Sequence, residues 1–167
     1  KLRHGQRPGS EQTVTAPAIE PHNTSAQRIV APRPPTAAQV EAARAYLKRF
    51  DDRIDGLRAQ YRMAFQALQS GSLSQPDFIE GIDRWLLPQW RTLYNELVST
   101  KPEDESLDSV VRTHLLHAAR GWEAGLDDYV RGLIDQNDTT VLEAFDRMSA
   151  GNEAQRQAWR VIESAER

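Results

Sequence analysis

Few residues in this 167-residue chain are suited to chemistry, and none of them is a cysteine. His114 and His117 stand three apart, a spacing that projects two imidazoles from one helical face. A divalent metal can bridge such a pair when other helices add ligands. No Glu-x-x-His pattern accompanies them, and the carboxylate-bridged metal sites of helical bundles use two. The pair therefore reads as hydrogen-bonded or solvated, and neither a metal nor another cofactor is expected. Lack of cysteine also excludes thiolate nucleophiles, disulfides and Cys-based zinc or iron–sulfur sites.

A second group is formed by Trp122, Asn152 and Gln155. The two amides occupy places between Met148 and Trp159 where a helical seam calls for apolar residues. An antiparallel neighbour would set Asn152 opposite Trp122. An indole wall with amide donors suits a small ligand, whereas the packing reading has the amides fixing register. Trp90 follows Pro88, where a break would turn a side chain outward, and it reads as an exposed anchor for a protein partner. Trp85, Trp122 and Trp159 read as core. The carboxylate groups Asp51-Asp52, Glu103-Asp104-Glu105 and Asp127-Asp128 are expected at caps and on the surface, where no cleft perturbs them. With no phosphate-cradling glycine loop and no Ser/His/Asp arrangement, no enzymatic activity is expected.

The elements that must position these residues are announced by four repeats of one signal. Thr36…Gln39, Ser74…Asp77, Thr100…Glu103 and Thr140…Glu143 each place a hydroxyl three residues before an amide or carboxylate, ahead of an apolar run. That is the pattern of a helix N-cap, in which the hydroxyl accepts from an orphan backbone N–H. The spacing predicts helices over about 37–70, 75–99, 102–135 and 140–165. The first carries the clearest seam, Val40, Ala43, Leu47, Phe50, Ile54, Leu57, Tyr61, Ala64 and Leu68, with Asp51 and Arg58 off the seam and solvated. Gly71 is its expected stop. The second presents Phe78, Ile82, Trp85, Leu86, Leu93 and Leu97 and must kink or split at Pro88. The third carries Gly121, Gly125 and Gly132, which admit a close neighbour. The fourth presents Val141, Phe145, Met148, Trp159 and Ile162.

Short connections between long helices favour antiparallel neighbours, so the expected fold is an all-α, antiparallel up-down-up-down four-helix bundle over 37–167. Its architecture resembles that of the cytochrome b562 group. That family's haem is held by a Met near the start of the first helix and a His in the last. Met63 lies near the far end of the first helix here and the last helix holds no His, so no haem function is carried over.

Residues 1–36 hold six of the nine prolines and form an extended leader, a linker or a partner-binding tail with Ile29, Val30 and Pro32 as its apolar contact. Lys1, Arg3, Arg7, Arg28 and Arg33 outnumber Glu11 and Glu20 there, so the leader is at +3 and the remainder at −6. An acidic body argues against nucleic acid as a partner. The chain opens on Lys1 rather than Met, so a membrane tether or signal upstream of residue 1 is part of the expectation. Absence of cysteine suits an extracytoplasmic setting, and an excess of arginine over lysine suits a bacterial source. The expected function is a non-catalytic helical interaction module, tethered by its leader to a membrane or larger assembly. The alternative is an extracytoplasmic ligand-sensing or carrier bundle that uses Trp122, Asn152 and Gln155.

Overall fold

The computed structural model describes residues 34–100 and 106–167. Every regular element among them is helical: α1 (Ala37–Gln69), α2 (Gln75–Gly81), a π-helical turn (Ile82–Leu86), α3 (Leu87–Ser99), α4 (Leu107–Asp135) and α5 (Asp138–Ala165). No described helix is long and apolar enough to cross a membrane. The elements form four rods, because α2, the π turn and α3 follow one another in right-handed helical backbone geometry.

Two of the four cap signals operate as expected. Thr36 and Gln39 form a reciprocal capping box at the start of α1, and Ser74 accepts from the Asp77 N–H at the start of α2. The other two do not begin helices. Thr100 ends α3, its hydroxyl donating to the Glu96 carbonyl, and α4 is capped by Ser106. Thr140 lies inside the first turn of α5, where its N–H donates to the Asn137 side chain. A Ser or Thr near a helix end serves either terminus, and only the backbone path decides which. Gly71 closes α1 at φ 73°, as expected, while Gln136 takes the left-handed conformation at the end of α4.

The core is built around α4, which packs against α1, α3, the π turn and α5. The α1 seam is buried from Val40 to Tyr61 as the sequence reads. On α5 the buried seam differs from the expected one. It runs Ala144, Met148, Gly151, Gln155, Ala158 and Ile162, so the larger Val141, Phe145 and Trp159 flank it. The reason is the glycine series on α4. A Cβ at Gly121 would stand 2.9 Å from the Arg147 carbonyl oxygen and from Gly151 Cα. One at Gly125 would stand 2.6 Å from Met148 Cγ and 2.9 Å from the Ala144 oxygen, and one at Gly132 would stand 2.9 Å from the Val141 nitrogen. Backbones this close leave room only for small residues between them, and the large ones are displaced to the sides.

Candidate functional site

Pro88 removes one helical donor and crowds the carbonyl four residues earlier. The chain meets this with a wide turn, in which the Leu87 N–H donates to the Ile82 carbonyl five residues back. One extra residue in the turn rotates everything after it. A regular helix starting from Phe78 and Ile82 would continue its apolar face through Trp85 and Gln89. The wide turn continues it instead through Leu86, Trp90, Leu93 and Leu97, all buried. Trp85 is left outside, 72% exposed.

Two expectations are thereby corrected. Trp90 is fully buried, so it is not an outward anchor, and Trp85 is not core. The physical cause of both is the same rotation. Trp90 stacks face to face on Trp122, with ring centroids 5.5 Å apart and planes within 5°. Tyr61 meets Trp122 edge-on at 5.6 Å, and Tyr129 continues the aromatic cluster towards Phe78 and Phe145. Burial raises the Tyr61 phenol far above its ordinary pKa, with Tyr129 adding to the effect, and burial raises Tyr129 as well. Both rings stay neutral. The Tyr61 hydroxyl and the Trp90 indole N–H are buried without hydrogen-bond partners.

The second expected site is brought together. Trp122 Nε1 donates to Asn152 Oδ1 at 3.0 Å. Gln155 is buried beside them, and its amide spans α5 and α1. Its Nε2 donates to Asp51 Oδ1 at 2.6 Å and to Asp55 Oδ1 at 3.1 Å, and its Oε1 accepts from Arg58 at 2.8 Å. The Arg58 guanidinium also lies over the Trp122 ring, 5.9 Å from its centroid. Asp51 is therefore a buried partner in this network and not a solvated residue. Asp128 is likewise buried, paired with Arg147 and, at 3.4 Å, with Arg131. The Asn152 side-chain oxygen and both ends of the Gln155 amide are thus taken up by protein partners. The arrangement ties α5 to α1 and α4 in one register.

The histidine pair is separated by environment. His114 is half-buried and His117 exposed. Burial, and secondarily His117, holds His114 below its usual pKa. Among the described residues no three His, Asp or Glu side chains gather within reach of one metal ion. Ile29, Val30 and Pro32 lie outside the described residues.

One surface that the sequence did not suggest adjoins Trp85. Between α1 and α3 runs a groove of about 410 Å³, lined by Arg53, Gly56, Leu57, Gln60, Gln89 and Thr92. Gln89 links it to the π turn, donating from Nε2 to the Trp85 carbonyl at 2.9 Å. Gly56 lies mid-helix in α1 with no atom within 4 Å of where a Cβ would be, so internal packing does not require it. At the end nearer Thr100, Arg49 and Arg53 converge on Glu96, and the bond from Arg53 is the main cause of that carboxylate's lowered pKa. Gln89 offered the only sequence clue. A polar residue at the place where an uninterrupted seam would continue marks a skipped residue.

The described chain belongs by these features to the all-α bundles, with a packed interior and an irregular outer turn. No family model, curated protein or solved structure matches it.

Proposed function

We propose that this chain is a non-catalytic interaction module, an up-down-up-down helical bundle that its proline-rich leader tethers to a membrane or larger bacterial assembly in an extracytoplasmic setting. The observation that carries the reading is Trp85, a large indole left 72% exposed by an irregular turn. Wide turns of this kind recur at functional positions, and tryptophan dominates the energetics of protein contacts. Residue pairings support the helix order: Arg49 with Glu96 and Gln60 with Gln89 between α1 and α3, and Gly125 with Met148 between α4 and α5. Nucleic acid is not the partner in this reading, because the body is acidic.

The test uses the full chain as bait in a bacterial envelope extract, compared with Trp85→Ala and with a chain lacking residues 1–36. A stoichiometric partner retained by the wild type and lost from either variant is the expected result. Equal recovery by all three chains would remove both the indole and the leader from the proposal.

The ligand-sensing alternative is favoured by one observation, the unpartnered Tyr61 hydroxyl and Trp90 N–H around Trp122. A small ligand that satisfied either group would raise the melting temperature in proportion to its occupancy. A melting temperature unmoved across a panel of small polar aromatics would count against it.

A further inference from the structure

We propose that a groove between α2 and α4 receives residues 28–33 of a second copy of this chain. The proposal rests on the interaction-module reading and names the partner of its leader.

The groove encloses about 620 Å³, and Pro76, Ile79, Val130 and Ile134 give it an apolar lining. Ile134 is 61% exposed. Contiguous apolar surface with polar residues around it marks an interaction site. Glu80, Asp83 and Arg84 supply the charge of the lining, and Arg84 is bonded to Glu80 at 2.8 Å, which leaves Asp83 as the excess. Asp77 and Asp135, both exposed, adjoin the lining residues in the chain. Arg131, the cation next to Val130, is bonded to Asp127 at 2.6 Å and to Asp128 at 3.4 Å. This surface therefore suits a short apolar segment that carries cations. Arg28-Ile29-Val30-Ala31-Pro32-Arg33, outside the described residues, is such a segment in sequence: four apolar residues between two arginines, with no carboxylate from residue 21 to residue 40. Pro32 favours an extended backbone and lowers the cost of ordering it in a groove.

Chain length decides whose segment it is. Tyr129, beside Val130, meets Phe65 with ring centroids 6.5 Å apart and Phe78 at 6.0 Å, so the groove lies level with the last turns of α1. From Ala37 to Phe65 a helix rises about 42 Å. The chain from Val30 to Ala37 spans at most about 25 Å when fully extended. A copy's own Ile29 and Val30 therefore fall short of its groove, whereas those of another copy can enter it. Each copy then gives a segment at one end and receives one at the other. Such head-to-tail contacts close into rings or extend as open chains.

Sedimentation of the purified full chain, from low micromolar to near-millimolar concentration, tests the proposal. The mass is expected to rise with concentration from 18.9 kDa through successive multiples. Val30→Asp spoils the segment and Ile134→Arg the groove, and each is expected to weaken association at least about tenfold. Asp83→Arg is expected to weaken it by a smaller factor that shrinks in high salt. Ile134 and Asp83 are exposed, so circular dichroism should show wild-type helical content in their variants. The decisive sample is an equimolar mixture of Val30→Asp and Ile134→Arg. One intact segment then meets one intact groove, and association is expected to stop at twice the single-chain mass. A wild type that stays monomeric throughout overturns the proposal, as does association that either variant leaves unchanged, or a mixture that stays monomeric. These results are separable from the interaction-module reading, which is tested by a different chain retained from the extract.

Discussion

The α4–α5 hairpin and the α2–π–α3 rod meet the same core by opposite means. In the hairpin, glycines at 121, 125, 132 and 151 bring two backbones so close that a single methyl would collide with main-chain atoms. Nothing projects from that seam. In the rod, a proline forces a wide turn, the helix rotates by one residue's worth, and a tryptophan is left in solvent. Close packing consumes a surface, while a ladder defect can expose one. The molecule's candidate for function lies on the defect, and its rigidity lies in the hairpin.

The sharpest way to break this contrast is to exchange the fates of the two tryptophans. Trp90→Ala removes a buried, stacked indole and is expected to destabilise the fold by about 3–5 kcal/mol in chemical denaturation. A loss below roughly 1 kcal/mol would mean that Trp90 is not core and that the rotation is wrong. Next in size is Gly125→Val, expected to cost about 3 kcal/mol, since overpacking against a carbonyl oxygen cannot be relieved by a rotamer change. Its counterpart on the looser side is Gly56→Ala, where the new methyl meets open space. That variant is expected to gain about 0.5–1 kcal/mol from lower backbone entropy in the unfolded chain, read as a higher melting temperature. Similar effects at the two glycines would erase the distinction between the hairpin and the rod. Trp85→Ala, measured at low protein concentration, is expected to change stability by no more than about 0.5 kcal/mol, as exposed positions do.

The smallest effect concerns pH and belongs to the hairpin's N-terminal half. Burial lowers the His114 pKa in the folded state from its ordinary value of 6.5. The unfolded chain therefore takes up this proton more readily, so stability is fully present above pH 6.5 and declines as the pH falls through the folded value. His114→Gln is expected to flatten the stability curve in that window. An unchanged slope would show that the imidazole is as solvated in the folded protein as in the unfolded one.

Much of the fold was legible because helix signals are local. The Thr36–Gln39 box, the α1 seam and the Gly71 stop all act within four residues of the chain, and each stands where it was read. The opposition of Trp122 and Asn152 was also legible, because a short turn near residue 137 fixes the antiparallel register. The errors share one origin. Reading by large apolar residues placed the α5 seam on Val141, Phe145 and Trp159, when the residues that fit a close neighbour are Ala144, Gly151 and Ala158. Reading Trp85 as part of the apolar face placed it inside, and reading the Pro88 break as turning a side chain outward placed Trp90 outside. Asp51 counted as solvated because its partner, Gln155, lies 104 positions away.

The sequence by itself determined that the described residues are helical, which segments are helices to within a few residues, and that the α4 glycines admit a neighbour. Caps, period and the absence of competing strand or turn chemistry are enough for that. Only the tertiary structure decided how each helix is rotated about its own axis. Rotation is set by what packs against the helix and by whether its ladder holds one residue too many, and neither quantity is local. That rotation buries Trp90 on Trp122, joins Gln155 to Asp51, and leaves Trp85 beside the open groove at Gly56.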